Sequence, residues 1–268
     1  MLQNIDHIVI VVRDLARASA DYARAGFAVT PGGEHTGGAT HNALISFGDG
    51  AYFELIAFRE PDRPQEHRWW SRLAQGEGLV DYALLSSDLE GDARLLRERD
   101  LAVQGPADGG RQRPDGQRIA WRSMMLGRGV GHPALPFVIQ DVTPRELRVP
   151  GGAATRHQLP VQRVAGLTLV VADLLASENT FEALVGTEGA PATPGVEGAV
   201  GARVFAVGPH WLELVQPAGL DSDLGHSLQA RGEGPYEVVL SGEAPARPGS
   251  GELLPPAATH GARLRVAR

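Results

Sequence analysis

Short apolar runs alternate with polar turns near the start of the chain, and their order predicts a strand followed by a helix. Residues 5–12 are apolar and rich in β-branched side chains, as in a buried strand. Asp14 is a residue type that caps helix N-termini, and the helix-compatible run 15–25 follows it and ends at Gly26.

A hairpin is predicted after this helix. Residues 31–38 are expected to form a loop. The apolar runs 43–47 and 51–58 then flank the turn Gly48-Asp49-Gly50, which is typical of two paired strands. The first unit is therefore a strand, a helix, a short strand and a hairpin.

Two segments of the second half repeat the first half at a single spacing. Asp173 follows the letters VVA as Asp14 follows VVR, and Glu213 stands in LEL as Glu54 stands in FEL. Each pair is 159 residues apart. Two matches at one spacing indicate a duplication, so we expect the two halves to superpose.

Weaker copies of the same pattern occupy the remaining sequence. The order of strand, helix and hairpin recurs over residues 82–142. The last quarter keeps strand patterns at 236–241 and 262–267, but residues 242–251 are too rich in Pro and Gly for the expected helix. We therefore predict four modules, of which the last is shortened.

The domain boundary is expected in residues 143–160, where Pro and Gly lie among polar residues. We predict a first domain over 1–142, a linker over 143–160 and a second domain over 161–268. The fold class that this organisation implies is α+β.

Composition and charge narrow the class of partner. The formal net charge of −7 provides no basic surface for a polyanion, so we expect no nucleic acid, no membrane and a small-molecule ligand. Because the chain has no Cys, any metal must bind to His and carboxylate side chains.

Other compositional features concern the source and the compartment. All 25 basic residues are Arg, which indicates a GC-rich, bacterial genome. The lack of Cys fits a reducing cytosol, and no charged leader precedes the first strand. We therefore expect a cytoplasmic protein.

The order of short motifs resembles a known superfamily. These motifs are DHIVIVVRDL (6–15), GF (26–27), GGEH (32–35), THNAL (40–44), FGDG (47–50), YFELI (52–56), RPDG (113–116) and PFVI (136–139). Four such modules in two pairs resemble the vicinal oxygen chelate superfamily, which contains glyoxalase I and the extradiol dioxygenases. Residues 1–142 are most similar to its glyoxalase-like domain family. The resemblance implies βαβββ modules paired into two half-open barrels.

The resemblance also implies where a metal would bind. In this superfamily the ligands project into the cleft from the first and last strands of each module, and His7 and Glu54 occupy these positions in the first module. A His and a carboxylate suit a divalent metal such as Zn²⁺, Ni²⁺, Mn²⁺ or Fe²⁺, which would act as a Lewis acid on adjacent substrate oxygens. The alternative is a cleft-lining His7 that hydrogen-bonds to Glu54 without a metal.

Few side chains that bind metals occupy the remaining ligand positions. In the second module they fall at Asp81 or Tyr82 and near Val138, with Gln140 two residues further on. The second half has Gly166 where the first has a histidine, and its Glu213 is best explained as a remnant of the duplication. The metal-binding tetrad is therefore incomplete.

Five residues are candidates for binding a substrate. His41 and Asn42, at the start of a strand, could contact a substrate oxygen, and His41 could instead be a third ligand or a polar turn residue. Arg113, beside a Pro-Asp-Gly turn, could hold a carboxylate or phenolate. Trp121 and Phe137 could form apolar cleft walls or pack in the core.

Two other features have simpler interpretations. Trp69-Trp70 could cap the cleft, form a dimer contact or pack across the connection between modules. His132, before a proline, is expected to be a loop residue.

We expect an enzyme of the glyoxalase-like group, of lyase, isomerase or dioxygenase type, with its cleft in the first half. Glu54 is the candidate catalytic residue, and with a metal it would stabilise an enolate or adjacent oxygens. The alternative is a metal-free protein that binds or sequesters a small molecule, as in drug resistance. The second half is expected to cover sheet edges or to support a homodimer.

Overall fold

The computed structural model describes residues 2–127 and 134–268. His132 lies outside the described residues. No helix in the described ranges is long and apolar enough to cross a membrane.

The described residues of the first half contribute eight strands. They are β1 (Leu2–Val11), β2 (Thr30–His35), β3 (Thr40–Ser46), β4 (Tyr52–Phe58), β5 (Gly78–Ser86), β6 (Val103–Gln112), β7 (Arg118–Leu126) and β8 (Phe137–Asp141). The second half contributes seven, which are β9 (Arg163–Val170), β10 (Ala190–Ala192), β11 (Ala199–Val207), β12 (His210–Pro217), β13 (Gly234–Ser241), β14 (Glu252–Leu253) and β15 (Arg263–Ala267).

Helices connect these strands. They are α1 (Leu15–Arg24), α2 (Trp70–Ala74), α3 (Leu89–Glu98), α4 (Arg145–Arg148), α5 (Leu174–Val185) and α6 (Asp223–Arg231), with a 3₁₀ helix over Gly152–Thr155. The α+β class predicted from the sequence is confirmed.

The strands of the first half close into a barrel in the order β1-β4-β3-β2-β6-β7-β8-β5. The two modules of this barrel meet on one side at β1 and β5. On the other side β2 and β6 share only two residue pairs, Glu34 with Gln112 and His35 with Arg111. The predicted pair of βαβββ modules is thus present, and a short ladder closes the side opposite β1.

The second half forms an open sheet in the order β10-β11-β12-β9-β13-β15-β14. Its register repeats that of the barrel. Val9 pairs with Glu54 in the parallel ladder of β1 and β4, and Thr168 pairs with Glu213 in that of β9 and β12. Both residues of the second pair are 159 positions beyond their counterparts, so the predicted duplication is confirmed.

Helix starts and the shortened last module also match the sequence pattern. Asp14 and Asp173 each accept a hydrogen bond from the backbone N–H three residues later, at 3.0 Å. The fully described segment between β13 and β14 contains no helix. Its Pro and Gly content accounts for that absence.

The predicted loop over 31–38 is wrong, because β2 covers Thr30–His35 and pairs with both β3 and β6. Strand β6, with the sequence VQGPADGGRQ, was not predicted either. Both segments are rich in Gly and Pro, which disfavour strands locally. Pairing with neighbouring strands outweighs that local preference.

The segment predicted to be a linker is partly ordered against the barrel. It contains α4, whose Arg148 is only 2% exposed. The domain boundaries stay a prediction, because the largest apolar cluster includes residues of both halves, such as Ile8, Leu84, Leu167 and Leu240.

Strand alternation divides the barrel side chains between two environments. Outward residues such as Ile8 and Phe53 join the large apolar cluster. Inward residues include His7 and Glu54, which line a cavity. At one end Trp69 packs with Val9 and the other apolar residues of a second cluster.

Candidate functional site

The barrel encloses a cavity of about 380 Å³, a size that accommodates a small organic molecule. Its lining combines polar and apolar side chains. The polar lining residues include His7, His35, Asn42, Glu54 and Arg111. The apolar ones include Ile56, Trp69, Trp121, Met125, Phe137 and Ile139.

A β-bulge in β1 sets the position of His7. Ile5 pairs with Leu84 and His7 with Ala83, so β1 has one more residue than β5 at this point. The extra residue is Asp6, and its Oδ1 lies 2.5 Å from His7 Nδ1. The bulge therefore brings two consecutive side chains together, although strand alternation would separate them.

His7 is fixed on all sides but one. Its ring stacks on Tyr52, with 4.7 Å between the ring centroids, and contacts Phe137 edge-on at 5.2 Å. Its second nitrogen, Nε2, lies 3.6 Å from Glu54 Oε2. His7 and Glu54 both line the cavity.

Glu54 is a buried carboxylate with several donors around it. Asn42 Nδ2 donates to its Oε1 at 2.6 Å, and His35 Nε2 lies 3.2 Å from the same oxygen. Burial by itself raises the pKa of Glu54, but the hydrogen bond and charge of His35, the charge of His7 and the Asn42 amide outweigh it and lower that pKa to about 2. Glu54 is therefore ionised at neutral pH.

Asp6 is held ionised by arginines of α4. Arg148 donates to both of its carboxylate oxygens at 2.8 Å, and Arg145 Nη1 donates to its Oδ2. Burial by itself raises the pKa of Asp6, but Arg148, through its charge and hydrogen bond, and His7 hold it well below its usual range. An ionised carboxylate only accepts hydrogen bonds, so the proton between Asp6 and His7 belongs to Nδ1.

Arg148 links this pair to two other groups. It donates to Asp141 from Nε, and from Nη2 at 3.0 Å. Its Nη1 also donates to the Tyr52 hydroxyl at 2.8 Å. The Arg148 guanidinium thus holds both Tyr52, which stacks on His7, and Asp6, which binds its Nδ1.

Arg68 and Trp69 pack at one end of the barrel cavity. Trp69 Nε1 donates to Asp81 Oδ2 at 2.8 Å, and Arg68 forms an ion pair with the same oxygen at 2.6 Å. The Arg68 guanidinium lies over the rings of Trp69 and Phe137, at 4.7 and 4.6 Å from their centroids. Burial and Arg68 lower the pKa of His67, another lining residue, to about 4, so its ring is neutral at pH 7.

The candidates from the sequence fall into two groups. His7, Asn42, Glu54, Trp121 and Phe137 line the barrel cavity together. His41 and Arg113 instead line a separate, more open depression beside β2.

Two residues considered as further metal ligands make other contacts. Asp81 binds Trp69 and Arg68, as described above. Gln140 accepts from the Leu89 backbone N–H at 3.1 Å and donates to the Ser87 carbonyl at 2.9 Å.

Four cavity or supporting residues were not predicted, namely Asp6, His35, Arg111 and Arg148. A charged residue inside the apolar run 5–12 signals a buried partner, which identifies Asp6. His35 and Arg111 lie on glycine-rich strands that were not recognised in the sequence.

The second module adds no metal donor beside His7. Besides His7, Glu54 and His35, the strands of the second module place Ala83 and Phe137 next to His7, and neither side chain can bind a metal. In the part of the chain that the structure describes, no three His, Asp or Glu side chains are grouped so that they could hold an ion. The residues present do not fit a bound divalent metal, and no reaction step below depends on one.

We expect metal analysis to find no tightly bound divalent ion. Protein produced with added Zn²⁺, Ni²⁺, Mn²⁺ and Fe²⁺, and purified without a chelator or a histidine tag, should carry far less than one ion per chain. The His7→Ala variant should give the same content. One equivalent in the original protein that is lost in the variant would contradict the assignment.

The equivalent place in the second half is filled by a side chain. Gly166 stands where His7 stands in the first half, and Trp211 pairs with it. A Cβ at Gly166 would lie 2.1 Å from the Trp211 indole, so the ring occupies the space that a side chain would need. Glu213 accepts hydrogen bonds from the Thr168 hydroxyl at 2.7 Å and the Gly195 N–H at 2.8 Å, two neutral donors.

A substitution at Gly166 tests this packing. Gly166→Ala should lower the free energy of unfolding by about 1–3 kcal/mol, because the new methyl group overpacks the indole. Gly151→Ala is the matched control, since a Cβ there meets nothing within 4 Å. Chemical denaturation measures both, and equal stability of the two variants would contradict the predicted packing.

Comparisons with known proteins agree with this architecture. A family model described as a glyoxalase-like domain matches residues 5–185. No curated protein matches the sequence. A hypothetical protein from Staphylococcus aureus superposes with a TM-score of 0.72 at 14% identity, over 99% of each chain. A mutant of 4-hydroxymandelate synthase from Streptomyces coelicolor superposes with a TM-score of 0.62 at 13% identity, over 91% of this chain and 72% of that one. At these identities the two structures are evidence for the fold alone.

Proposed function

Because the chain belongs to the glyoxalase-like domain family, we propose that it is a small-molecule enzyme with its active site in the barrel cavity. The proposed reaction removes a proton from a carbon next to a carbonyl group, as in an isomerase or a lyase. The observation that carries the proposal is the contact chain from Asp6 through His7 to Glu54, which ends in a cavity that could hold a ligand.

His7 acts as the base. Asp6 accepts the Nδ1 proton, so in the neutral ring Nε2 has a free lone pair. Nε2 can therefore take a proton from a substrate carbon in the cavity. The stacked Tyr52 ring and the edge contact with Phe137 hold the imidazole in place for this transfer.

Glu54 stabilises the charge that His7 gains. Its carboxylate lies 3.6 Å from Nε2, so the positive charge that forms on the imidazole during proton transfer has an opposite charge beside it. With a pKa of about 2, Glu54 is too weak a base for efficient proton abstraction at neutral pH. This role differs from the expected one, in which Glu54 supported a metal.

The carbonyl oxygen of the substrate gains negative charge in this step. Removal of the proton leaves an enolate, and its oxygen would lie near Asn42 and Arg111, two lining residues whose side chains carry N–H donors. Trp69 and the apolar cluster at the barrel end limit access of water to this enolate.

A protein that binds or sequesters a small molecule without turnover is the second candidate. The observation that favours it is the apolar character of the second-module strands. Their residues Ala83 and Phe137, which pair with each other beside His7, carry no group that could bind a metal or transfer a proton. Exchange of substrate protons distinguishes the two functions, because a binding protein does not catalyse it.

Hydrogen exchange in D₂O tests the enzyme proposal. A panel of 2-oxo acids, 1,3-dicarbonyl compounds and 2-hydroxy ketones is incubated with the protein, and ¹H NMR follows loss of the C–H signal next to the carbonyl. We expect at least one compound to exchange faster with the original protein, and with His226→Ala, a variant of an exposed histidine, than it does without protein. A compound that binds in the cavity without any compound exchanging would favour the binding protein.

A further inference from the structure

Arg111 is a buried cation that lines the cavity. Its side chain is 4% exposed and lies on β6 opposite His35. Its Nη2 donates to the Arg148 carbonyl at 2.6 Å and its Nη1 to Asn42 Oδ1 at 3.4 Å. Both acceptors are neutral. Among residues 2–127 and 134–268, no carboxylate lies within ion-pair distance of this guanidinium.

The other two arginines of the cavity are neutralised by the protein. Arg148 is paired with Asp6 and Asp141, and Arg68 with Asp81. Burial lowers the pKa of Arg111, but a guanidinium remains charged at neutral pH. The charge of Glu54 acts on Arg111 from beyond ion-pair distance. A buried guanidinium without a directly paired carboxylate is costly unless a ligand provides one.

A flat apolar surface lies beside this cation. Gly109 is two residues before Arg111 on β6 and pairs with Trp121. A Cβ at Gly109 would lie 2.4 Å from Trp121 Nε1, so the missing side chain lets the indole lie against the strand. The indole also meets His35 edge-on, with 6.1 Å between the centroids. The aromatic and cationic surfaces are therefore adjacent.

From this combination we infer that the cavity binds a small planar aromatic carboxylate, with its carboxylate on Arg111 and its ring against Trp121. The guanidinium can donate two parallel hydrogen bonds to a carboxylate. Asn42 connects Arg111 to Glu54, which it contacts at 2.6 Å, and Glu54 in turn lies 3.6 Å from Nε2 of His7, the proposed base. The inference rests on the proposed function, because it names the ligand of the same cavity.

Calorimetric titration with benzoate and benzamide tests the inference. The two probes have the same ring and nearly the same shape, but only benzoate is charged. We expect benzoate to bind at least about tenfold more tightly than benzamide, since hydrogen bonds to a charged group are the stronger ones. Equal affinities, or no binding of either probe, would overturn the inference.

Arginine variants test whether Arg111 causes the preference for benzoate over benzamide. Arg111→Met should weaken benzoate binding about tenfold or more and leave benzamide binding unchanged. Arg118→Met, on the exposed part of β7, is the matched control and should change neither affinity. If Arg111→Met does not fold, Arg111→Lys keeps the charge and should weaken benzoate binding by a smaller factor. An Arg111 variant that weakens both probes equally, or neither, would overturn the assignment.

These titrations are independent of turnover. Preference for benzoate through Arg111, combined with no proton exchange in D₂O, would disprove the proposed enzyme and keep the carboxylate site. Proton exchange that depends on His7, combined with equal binding of both probes, would do the opposite.

Discussion

Replacing Arg148 by alanine is expected to lower the free energy of unfolding by about 3–5 kcal/mol, the cost of leaving a buried charge without its partner. Asp6 is fully buried and would lose both hydrogen bonds from this guanidinium. Asp141 would lose its bonds from the same side chain. Chemical denaturation of the original protein and the variant measures the difference.

The matched control is Arg94→Ala, which removes an exposed arginine from α3 and should change stability by less than about 0.5 kcal/mol. The double variant Asp6→Asn with Arg148→Ala should lose less than the sum of the two single variants, because no unpaired carboxylate then remains at residue 6. If Arg148→Ala were as stable as the control, α4 would not be part of the supporting structure of the site.

The second large effect concerns turnover. His7→Ala should slow proton exchange of the active compound by about 10²–10⁴-fold, the usual contribution of a positioned base. Glu54→Gln should also slow the exchange, because the neutral amide stabilises the protonated imidazole less well than the carboxylate at 3.6 Å. The measurement is the initial rate of C–H signal loss in D₂O, at equal protein concentration.

Thermal melting of each variant separates catalysis from folding. His226→Ala, in α6 and exposed, should retain the original rate. A His7→Ala variant that exchanges protons at the original rate would remove His7 from the mechanism.

Local signals and the repeat were sufficient to predict most of the fold. The N-caps at Asp14 and Asp173 and the hairpin around Gly48-Asp49-Gly50 depend on contacts within a few residues. The match of a family model over residues 5–185 confirms the family that the motifs indicated. Strands β2 and β6 could not be predicted, because they form through pairing between distant segments that contain many glycines.

Only part of the site could be predicted from the sequence. His7 and Glu54 were identified through the resemblance, which implies ligands on the first and last strands of a module, and both line the cavity. The bulge that joins Asp6 to His7 cannot be read from alternation, which separates neighbouring side chains. Arg148 reaches Asp6 across 142 positions of sequence, from a segment whose Pro and Gly content predicts a linker.

The second half is best explained as a retained duplicate without the site. Trp211 fills the space beside Gly166, and Glu213 lacks a histidine partner among the described side chains. The shared apolar cluster indicates that this half supports the barrel from outside. The expectation of a homodimer stays a prediction.

The most direct test of the central claim is a crystal structure of Glu54→Gln with the compound that exchanges fastest in D₂O. We predict that the compound lies inside the barrel, with its exchanging carbon about 3–3.5 Å from His7 Nε2, which is the range for a reacting pair. Binding beside Trp211 in the second sheet, or in the depression near Arg113, would contradict the account.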